Sequence, residues 1–247
     1  MGEKETINLL CPALGYNFNG YNFNRYTMKR PIILLFCICL LGSCSVKKEI
    51  VDVPILFDGQ RVDLTKQYMA QRYGLVDDST QIVPKMIVLH WTAIPDLKKS
   101  FEAFNRPTLP SWRPDLVNVS GLNVSAHFLV DRDGTIYRLM PETTMARHTI
   151  GLNHCAIGVE NVGGTQGLPL TRKQLKANIF LVEHLASKYD IDYVIGHQQY
   201  TLFEDHPFWL EVDRGYRTVK TDPGLDFMEK VHRATKKLNF KPIPTQE

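Results

Sequence analysis

Two short apolar runs, each closed by a histidine, constrain this chain more than any other feature. The runs are Met86-Ile-Val-Leu-His90 and Tyr193-Val-Ile-Gly-His197. Continuous apolar runs of this length are typical of strands buried inside a sheet. Strand ends are where α/β proteins build their sites. We therefore expect both histidines at one edge of a buried sheet, although either histidine alone is more typical of a satisfied sheet-edge residue than of a functional one.

The rest of the chain predicts a helix-covered sheet. Further strands are expected over 124–130 and 135–140, on either side of the hairpin turn Asp133-Gly134, and over 156–162. Strands that alternate with helices predict an α/β fold, a single domain with a central mixed β-sheet flanked by helices. Helices are predicted over 64–73, 96–105 and 225–238, and one that Thr171 opens with a capping box to Gln174.

Two of these helices carry an apolar stripe. The helix after Thr171 repeats apolar residues at helical spacing, and we expect this stripe to face the sheet. Its members are Leu175, Ile179, Val182, Leu185 and Tyr189. The last helix places Leu225, Met228, Val231 and Leu238 on one side.

The N-terminal region has the pattern of an export signal. Met28-Lys-Arg30 precedes ten apolar residues, 32–41, and then Leu41-Gly-Ser-Cys44. A basic start, a short apolar core and small residues before a cut site are typical of a secretory signal, and the core is too short to span a bilayer. We interpret 28–43 as a lipoprotein signal peptide with lipidation at Cys44; a short buried helix is the alternative. Residues 1–27 do not fit a signal, so either translation begins at Met28 or the leader is unusually long.

Composition excludes two classes of protein. Lys and Arg total 29 against 26 Asp and Glu, a net charge of +3, which lacks the basic excess of a nucleic-acid binder. Hydrophobic residues make up 44% and charged residues 22%, as in ordinary globular proteins. No apolar run reaches about 20 residues, which excludes a polytopic membrane protein. We expect no nucleic-acid partner, a monomer, and a membrane association that depends on the lipid.

A third segment suggests a metal site. In Lys220-Thr-Asp222-Pro-Gly224 the residue before proline is pushed into an extended conformation, so that Lys220 and Asp222 project to one side. A carboxylate beside His90 and His197 would give a two-histidine, one-carboxylate set with one open position, the pattern of catalytic zinc. Non-haem iron uses the same set. A turn in which Asp222 merely pairs with Lys220 needs no metal.

Five motifs follow one another along the chain: His90-Trp-Thr, Ser125–Gly134, Ile157-Gly-Val-Glu160-Asn161, Ile195-Gly-His197 and Lys220–Gly224. In this order they resemble the type 2 N-acetylmuramoyl-L-alanine amidases and the related peptidoglycan recognition proteins. The resemblance covers about residues 85–236 and leaves 44–84 as a tether and N-terminal extension and 237–247 as a tail. The signal adds similarity to the outer-membrane lipoprotein amidases, which implies a bacterial envelope protein anchored in the outer membrane and facing the periplasm.

The resemblance implies a role for each matching residue. It implies that His90, His197 and Asp222 bind one Zn²⁺ per chain, with Glu160 as the catalytic carboxylate and Lys220 as the transition-state stabiliser. The implied reaction is hydrolysis of the amide between the lactyl group of N-acetylmuramic acid and L-alanine in peptidoglycan. Candidate substrate contacts are Trp91, His127, His148 and Asn161, with a structural role for His127 as the alternative.

Two departures from the family pattern leave alternatives open. The segment between His197 and Asp222 is long, and its residues 203–217 form an insertion that could wall the groove. The insertion also makes His206 a rival ligand. Arg147 stands where many relatives carry Trp, so substrate contacts there can differ. A non-catalytic peptidoglycan-binding module and an enzyme that cuts a different amide are the competing functions.

Overall fold

A mixed β-sheet organises the computed structural model, which describes residues 49–110 and 120–245. Six strands of the described chain join in the order β1-β4-β3-β5-β2-β6, and all neighbours are parallel except β3 and β4. The described residues all belong to one compact unit, which confirms a single α/β domain. The predicted signal peptide, 28–43, and the predicted lipidation site Cys44 lie outside the described residues. The strands are β1 Ile50–Asp52, β2 Met86–Leu89, β3 Phe128–Val130, β4 Ile136–Arg138, β5 Ala156–Asn161 and β6 Tyr193–Gly196.

The strand β2 lies between β5 and β6 and is covered on both faces. All four of its residues are 0% exposed, which explains why its sequence is continuously apolar. Its register places Leu89 opposite Val159 of β5 and Gly196 of β6. Because the three strands are parallel, their carboxyl ends meet at one edge of the sheet, and His90 and His197 follow directly at that edge.

The hairpin between β3 and β4 forms where Asp133-Gly134 predicts it. The Asp133 carboxylate accepts a hydrogen bond from the Thr135 amide, and Gly134 adopts a φ of 87°, which favours glycine. Both strands are shorter than predicted. A parallel strand, β1, pairs with the far side of β4 and closes that edge.

The described residues form four α-helices. The first begins five residues earlier than predicted because Asp58 caps it by accepting a hydrogen bond from the Arg61 amide. It ends as expected at Gly74, in the left-handed conformation. The capping box of Thr171 and Gln174 is present at the third helix. The helices are α1 Gly59–Tyr73, α2 Leu97–Asn105, α3 Arg172–Lys188 and α4 Leu225–Thr235.

The predicted helix faces need two corrections. The buried face of α3 is centred on Gln174, Asn178 and Leu181, whereas Leu175 and Ile179 are only partly buried. In α4, Leu225 is 71% exposed and Phe227 is buried instead. The first error arises because Gln174 and Asn178 are polar side chains that are buried; the second arises because Leu225 is apolar but exposed at the start of its helix.

The core forms on both faces of the sheet. On one face, Ile87 and Leu89 of β2 pack with apolar residues of α3 and α4. On the other, Met86 and Val88 pack with the segment around Tyr200. Alternate residues of β2 thus serve opposite faces, as strand geometry requires. In the residues described, no helix has both the length and the apolar character needed to cross a membrane.

Candidate active site

The sheet edge brings together the three side chains predicted as metal ligands. His90 continues β2 by donating its amide hydrogen to the Val159 carbonyl at 2.8 Å. His197 follows β6 and opens a short 3-10 helix. The Gln198 amide donates to the Asp222 carbonyl at 3.0 Å, which draws the distant Asp222 segment against His197. All three side chains are buried.

Their donor atoms have the spacing that a tetrahedral metal ion requires. The Nδ1 atoms of His90 and His197 are 2.9 Å apart, and Oδ2 of Asp222 lies 3.1 Å from Nδ1 of His197 and 3.3 Å from Nδ1 of His90. Ligand atoms bound to zinc at 2.0–2.1 Å in tetrahedral geometry are about 3.3 Å apart. The donor set and its spacing therefore fit one metal ion with one coordination position left over.

The protonation states also suit a cation. Burial lowers the pKa of His197 to about 4, which leaves its imidazole neutral near pH 7. Burial would raise the pKa of Asp222, but contacts with His197 and His90 outweigh it, so the pKa lies below its ordinary value. Metals bind neutral imidazole and ionised carboxylate, and both are present at neutral pH.

His148 lies behind His90, on the cavity wall where a substrate contact was predicted. Nδ1 of His148 accepts a hydrogen bond from Nε2 of His90 at 3.1 Å, and its own Nε2 donates to the Ala156 carbonyl at 3.2 Å. This pair of bonds fixes one tautomer for each ring and leaves Nδ1 of His90 directed at the cluster. A ligand histidine is commonly oriented in this way. His148 therefore positions His90 in addition to lining the cavity.

Two of the predicted substrate contacts are wholly internal. Nδ1 of His127 accepts the Gly158 amide hydrogen at 2.9 Å and its Nε2 donates to the Thr144 carbonyl at 2.9 Å, so the ring bridges two backbone segments at 0% exposure. This is the structural role foreseen as the alternative. Nδ2 of Asn161 donates to the His90 carbonyl at 2.9 Å, also at 0% exposure. Neither side chain reaches the cavity, because both are used to hold backbone.

A cavity of about 570 Å³ opens over the cluster. Glu160, near the end of β5, and Lys220, two residues before Asp222, both line it beside the three donors. Trp91 lines it as well, and its ring lies so close to Gly164, a glycine at φ 95°, that a Cβ there would be 2.3 Å from the indole Cγ. The predicted catalytic pair and the donor cluster therefore share one cavity.

The insertion contributes to the cavity but not to the cluster. Nε2 of His206 lies 3.1 Å from the Tyr193 hydroxyl, and Nδ1 accepts the Phe208 amide hydrogen, so His206 packs among aromatic rings and is not a rival ligand. Tyr216 of the insertion reaches the cavity wall, as does Tyr68 of α1. Sequence reasoning proposed a wall from the insertion without this residue, and it missed Tyr68, because a tyrosine in a short extension gives no signal of its own.

A parallel sheet edge that holds a two-histidine, one-carboxylate cluster beside a carboxylate and an ammonium has the layout of a metal-assisted hydrolase. The sequence model of one family, described as N-acetylmuramoyl-L-alanine amidase, matches residues 78–225. The chain belongs to that family.

Solved structures similar to this chain include other amidases and a recognition protein. The N-acetylmuramoyl-L-alanine amidase LysC from Clostridium intestinale URNW is 23% identical, with 78% of this chain and 99% of that chain covered and a TM-score of 0.47. An AmpD derivative is 22% identical, with 75% and 94% covered and a TM-score of 0.48. Bumblebee PGRP-SA is 18% identical, with 80% and 99% covered and a TM-score of 0.45. No curated protein matches the chain.

Proposed function

We propose that this protein is a zinc-dependent amidase that hydrolyses the bond between the lactyl group of N-acetylmuramic acid and L-alanine in peptidoglycan. The observation that carries the proposal is the spacing of the three donor atoms, 2.9–3.3 Å, in a cavity that Glu160 and Lys220 also line. Family membership supports the substrate class. All of these side chains come from one chain, so a monomer suffices for the reaction.

Each side chain has a chemical task that an amide bond requires. A zinc ion held by His90, His197 and Asp222 would supply Lewis acidity, which polarises the carbonyl and makes water a stronger nucleophile. Glu160 takes a proton from the attacking water and returns it to the nitrogen of the departing L-alanine. The ammonium of Lys220 stabilises the negative charge that develops on the carbonyl oxygen. His148 holds His90 in place throughout.

One experiment tests the activity and the metal together. Purified protein would be analysed for metal content and then incubated with purified sacculi. The masses of the released products would be measured by mass spectrometry. We expect about one zinc per chain and release of intact stem peptides with a free L-alanine amino group. Products that keep the lactyl–alanine bond, or full activity in metal-free protein after chelation, would contradict the proposal.

We also propose that the enzyme is lipid-anchored in the bacterial envelope, in the outer membrane and facing the periplasm. The support is the sequence pattern ending in Leu41-Gly-Ser-Cys44. Cys44→Ala should move the protein from the membrane fraction to the soluble periplasm or leave it unprocessed. Translation started at Met28 should give the same mature mass as the full reading frame. An unchanged membrane fraction together with an unchanged mature mass in Cys44→Ala would refute the anchor.

A further inference from the structure

The segment 218–222 presents every second side chain to the cavity. Thr218, Lys220 and Asp222 all line it. Val219, between the first two, is instead 97% exposed. Successive side chains of an extended chain point in opposite directions, which accounts for this alternation. The position of Lys220 in the cavity therefore depends on how the backbone on either side of it is held.

Both ends of this segment are bound by the 3-10 helix that follows β6. At the far end, the Gln198 amide donates to the Asp222 carbonyl at 3.0 Å. At the near end, the Tyr200 hydroxyl donates to the Thr218 carbonyl at 2.8 Å and accepts the Thr218 amide hydrogen at 2.8 Å. Because one hydroxyl binds both backbone groups of Thr218, it fixes the backbone there in position and in direction.

Packing leaves the Tyr200 ring little room to move. The residue is 1% exposed, and its ring centre lies 5.5 Å from that of His197. The Trp209 ring of the insertion stacks on it at 6.1 Å with the ring planes 22° apart. The Arg217 guanidinium in turn lies 4.5 Å from the centre of the Trp209 ring. A rigid group thus carries the hydroxyl that binds the chain where the insertion ends.

The length of the insertion explains why such an anchor is needed. Residues 203–217 separate the helix from the segment, and residues 212–215 among them are exposed. The entropy cost of holding the two ends of a loop together rises with its length. Lys220 follows the insertion after two residues, so its position requires contacts of its own.

We propose that Tyr200 is a positioning residue that fixes the backbone of Thr218 and thereby holds Lys220 in place in the cavity. The inference rests on the proposed function, which gives Lys220 its task. A donor stabilises a developing charge only where it is held in advance, and a misplacement of about 1 Å can cost about 10²-fold in rate. Asp222 keeps its own bond to Gln198, so the hydroxyl of Tyr200 acts on Lys220 more than on the metal.

Tyr200→Phe tests this role by removing the hydroxyl and keeping the ring. With a soluble muramyl peptide as substrate, we expect kcat to fall about tenfold and KM to stay within about twofold. Zinc should remain near one per chain. In a Lys220→Ala background the same substitution should cause no further fall in kcat, because the side chain that it positions is already absent.

Hydrogen exchange of the purified protein tests the anchor independently of activity. In Tyr200→Phe the Thr218 amide loses its acceptor, so its exchange should become about tenfold faster. The Gln198 amide, at the other end of the segment, should change by less than about threefold. The amides of β2 should keep their protection, which shows that the variant is folded.

Tyr193→Phe is the matched control, because its ring packs in the same apolar cluster and its hydroxyl lies 3.1 Å from Nε2 of His206. It should leave kcat within about twofold and the exchange of Thr218 unchanged. An unchanged kcat or unchanged Thr218 exchange in Tyr200→Phe would overturn the positioning role. An equal fall in kcat in Tyr193→Phe, or a full fall that persists in the Lys220→Ala background, would overturn it as well. Wild type that releases no peptide would overturn the proposed function instead, and the exchange of Thr218 would still decide whether Tyr200 is the anchor.

Discussion

Nε2 of His90 lies 3.1 Å from Nδ1 of His148, so the proposed ligand His90 is held in orientation by a neighbour across the sheet edge. The His148 ring lies flat against β5 at a position where the strand has glycine. A Cβ added at Gly158 would lie 2.7 Å from Cγ of His148, closer than atoms in contact allow. The absence of a side chain at Gly158 is therefore a condition for the orientation of His90.

Gly158→Ala should displace His148 and weaken the metal site. We expect a loss of about 1–3 kcal/mol in the free energy of unfolding from overpacking and a loss of about 10–100-fold in zinc affinity. Denaturant unfolding and competition with a chelating dye would measure the two effects. Gly167→Ala is the control, because a Cβ there meets nothing within 4 Å. Zinc affinity that is equal in both variants would show that His148 does not orient His90.

Substitutions of three polar side chains in or beside the donor cluster should differ in their effects on zinc content and on reaction rate. Asp222→Ala removes one ligand and should lose both zinc and activity. Glu160→Ala should keep about one zinc per chain and lose about 10²–10⁴-fold in kcat, the usual range for a general acid–base group. Lys220→Ala should keep zinc with a smaller loss of activity. Zinc would be measured beside peptide release from sacculi; loss of zinc in Glu160→Ala but not in Asp222→Ala would exchange the two roles.

Acid should destabilise the metal-free protein already at pH values above those at which carboxylates titrate. Burial lowers the pKa of His127, His154 and His197 to about 4, and that of His148 well below its ordinary value. The unfolded chain takes up these protons near pH 6.5, whereas the folded protein takes up those of His127, His154 and His197 only near pH 4, so the free energy of unfolding falls as the pH falls between those values. The slope is about 1.4 kcal/mol per pH unit for each such proton.

Denaturant unfolding of chelator-treated protein between pH 7 and 4.5 would measure this slope. His154→Phe should make it shallower, because one of the protonating rings is removed at a site apart from the donor cluster. Stability that is constant over this range would contradict the neutral state of the buried histidines.

The side chain of Asn178 should matter more for stability than its place in a helix suggests. Its Nδ2 donates to Oδ1 of Asn161 at 2.7 Å, and Asn161 in turn holds the His90 carbonyl. Asn178→Ala would leave a buried acceptor of Asn161 without this donor, at a cost of about 1–3 kcal/mol in the free energy of unfolding. Lys176→Ala, on the exposed side of the same helix, should stay within about 0.5 kcal/mol. Equal thermal or denaturant midpoints for the two variants would refute the prediction.

Much of the site could be predicted because buried strands can be recognised from their local sequence. A buried parallel strand has a continuous apolar sequence, and the residue that follows it lies at the sheet edge. The positions of His90 and His197 could therefore be predicted from their local sequence. The Asp222-Pro223 pair likewise predicted an extended conformation for the residues before the proline. No single pattern shows that these segments lie close together in the fold. The proximity of His90 to His197 could be predicted only from the resemblance of five motifs, in order, to those of a known family.

The parts that were missed depend on distant partners. Gln174 and Asn178 look solvent-facing by hydropathy, yet Nε2 of Gln174 donates to the Val130 and Val162 carbonyls, at the ends of β3 and β5. Arg61 is buried for the same reason, since it donates to the Phe104 and Arg106 carbonyls at the end of α2. The three residues of β1 are too few to show a period. Hydrophobic periodicity cannot predict polar residues whose burial depends on a hydrogen-bond partner far along the chain.

The position of β2 between β5 and β6 has a consequence for how the protein opens. Its four residues are fully enclosed, so its amide hydrogens exchange with solvent only in the largest opening events. His90 follows that strand, whereas Asp222 lies in a loop after an insertion whose residues 212–215 are exposed. We therefore expect local opening of that loop to separate Asp222 from the two histidines while the sheet stays paired, so that the donor cluster loses its carboxylate before its imidazoles.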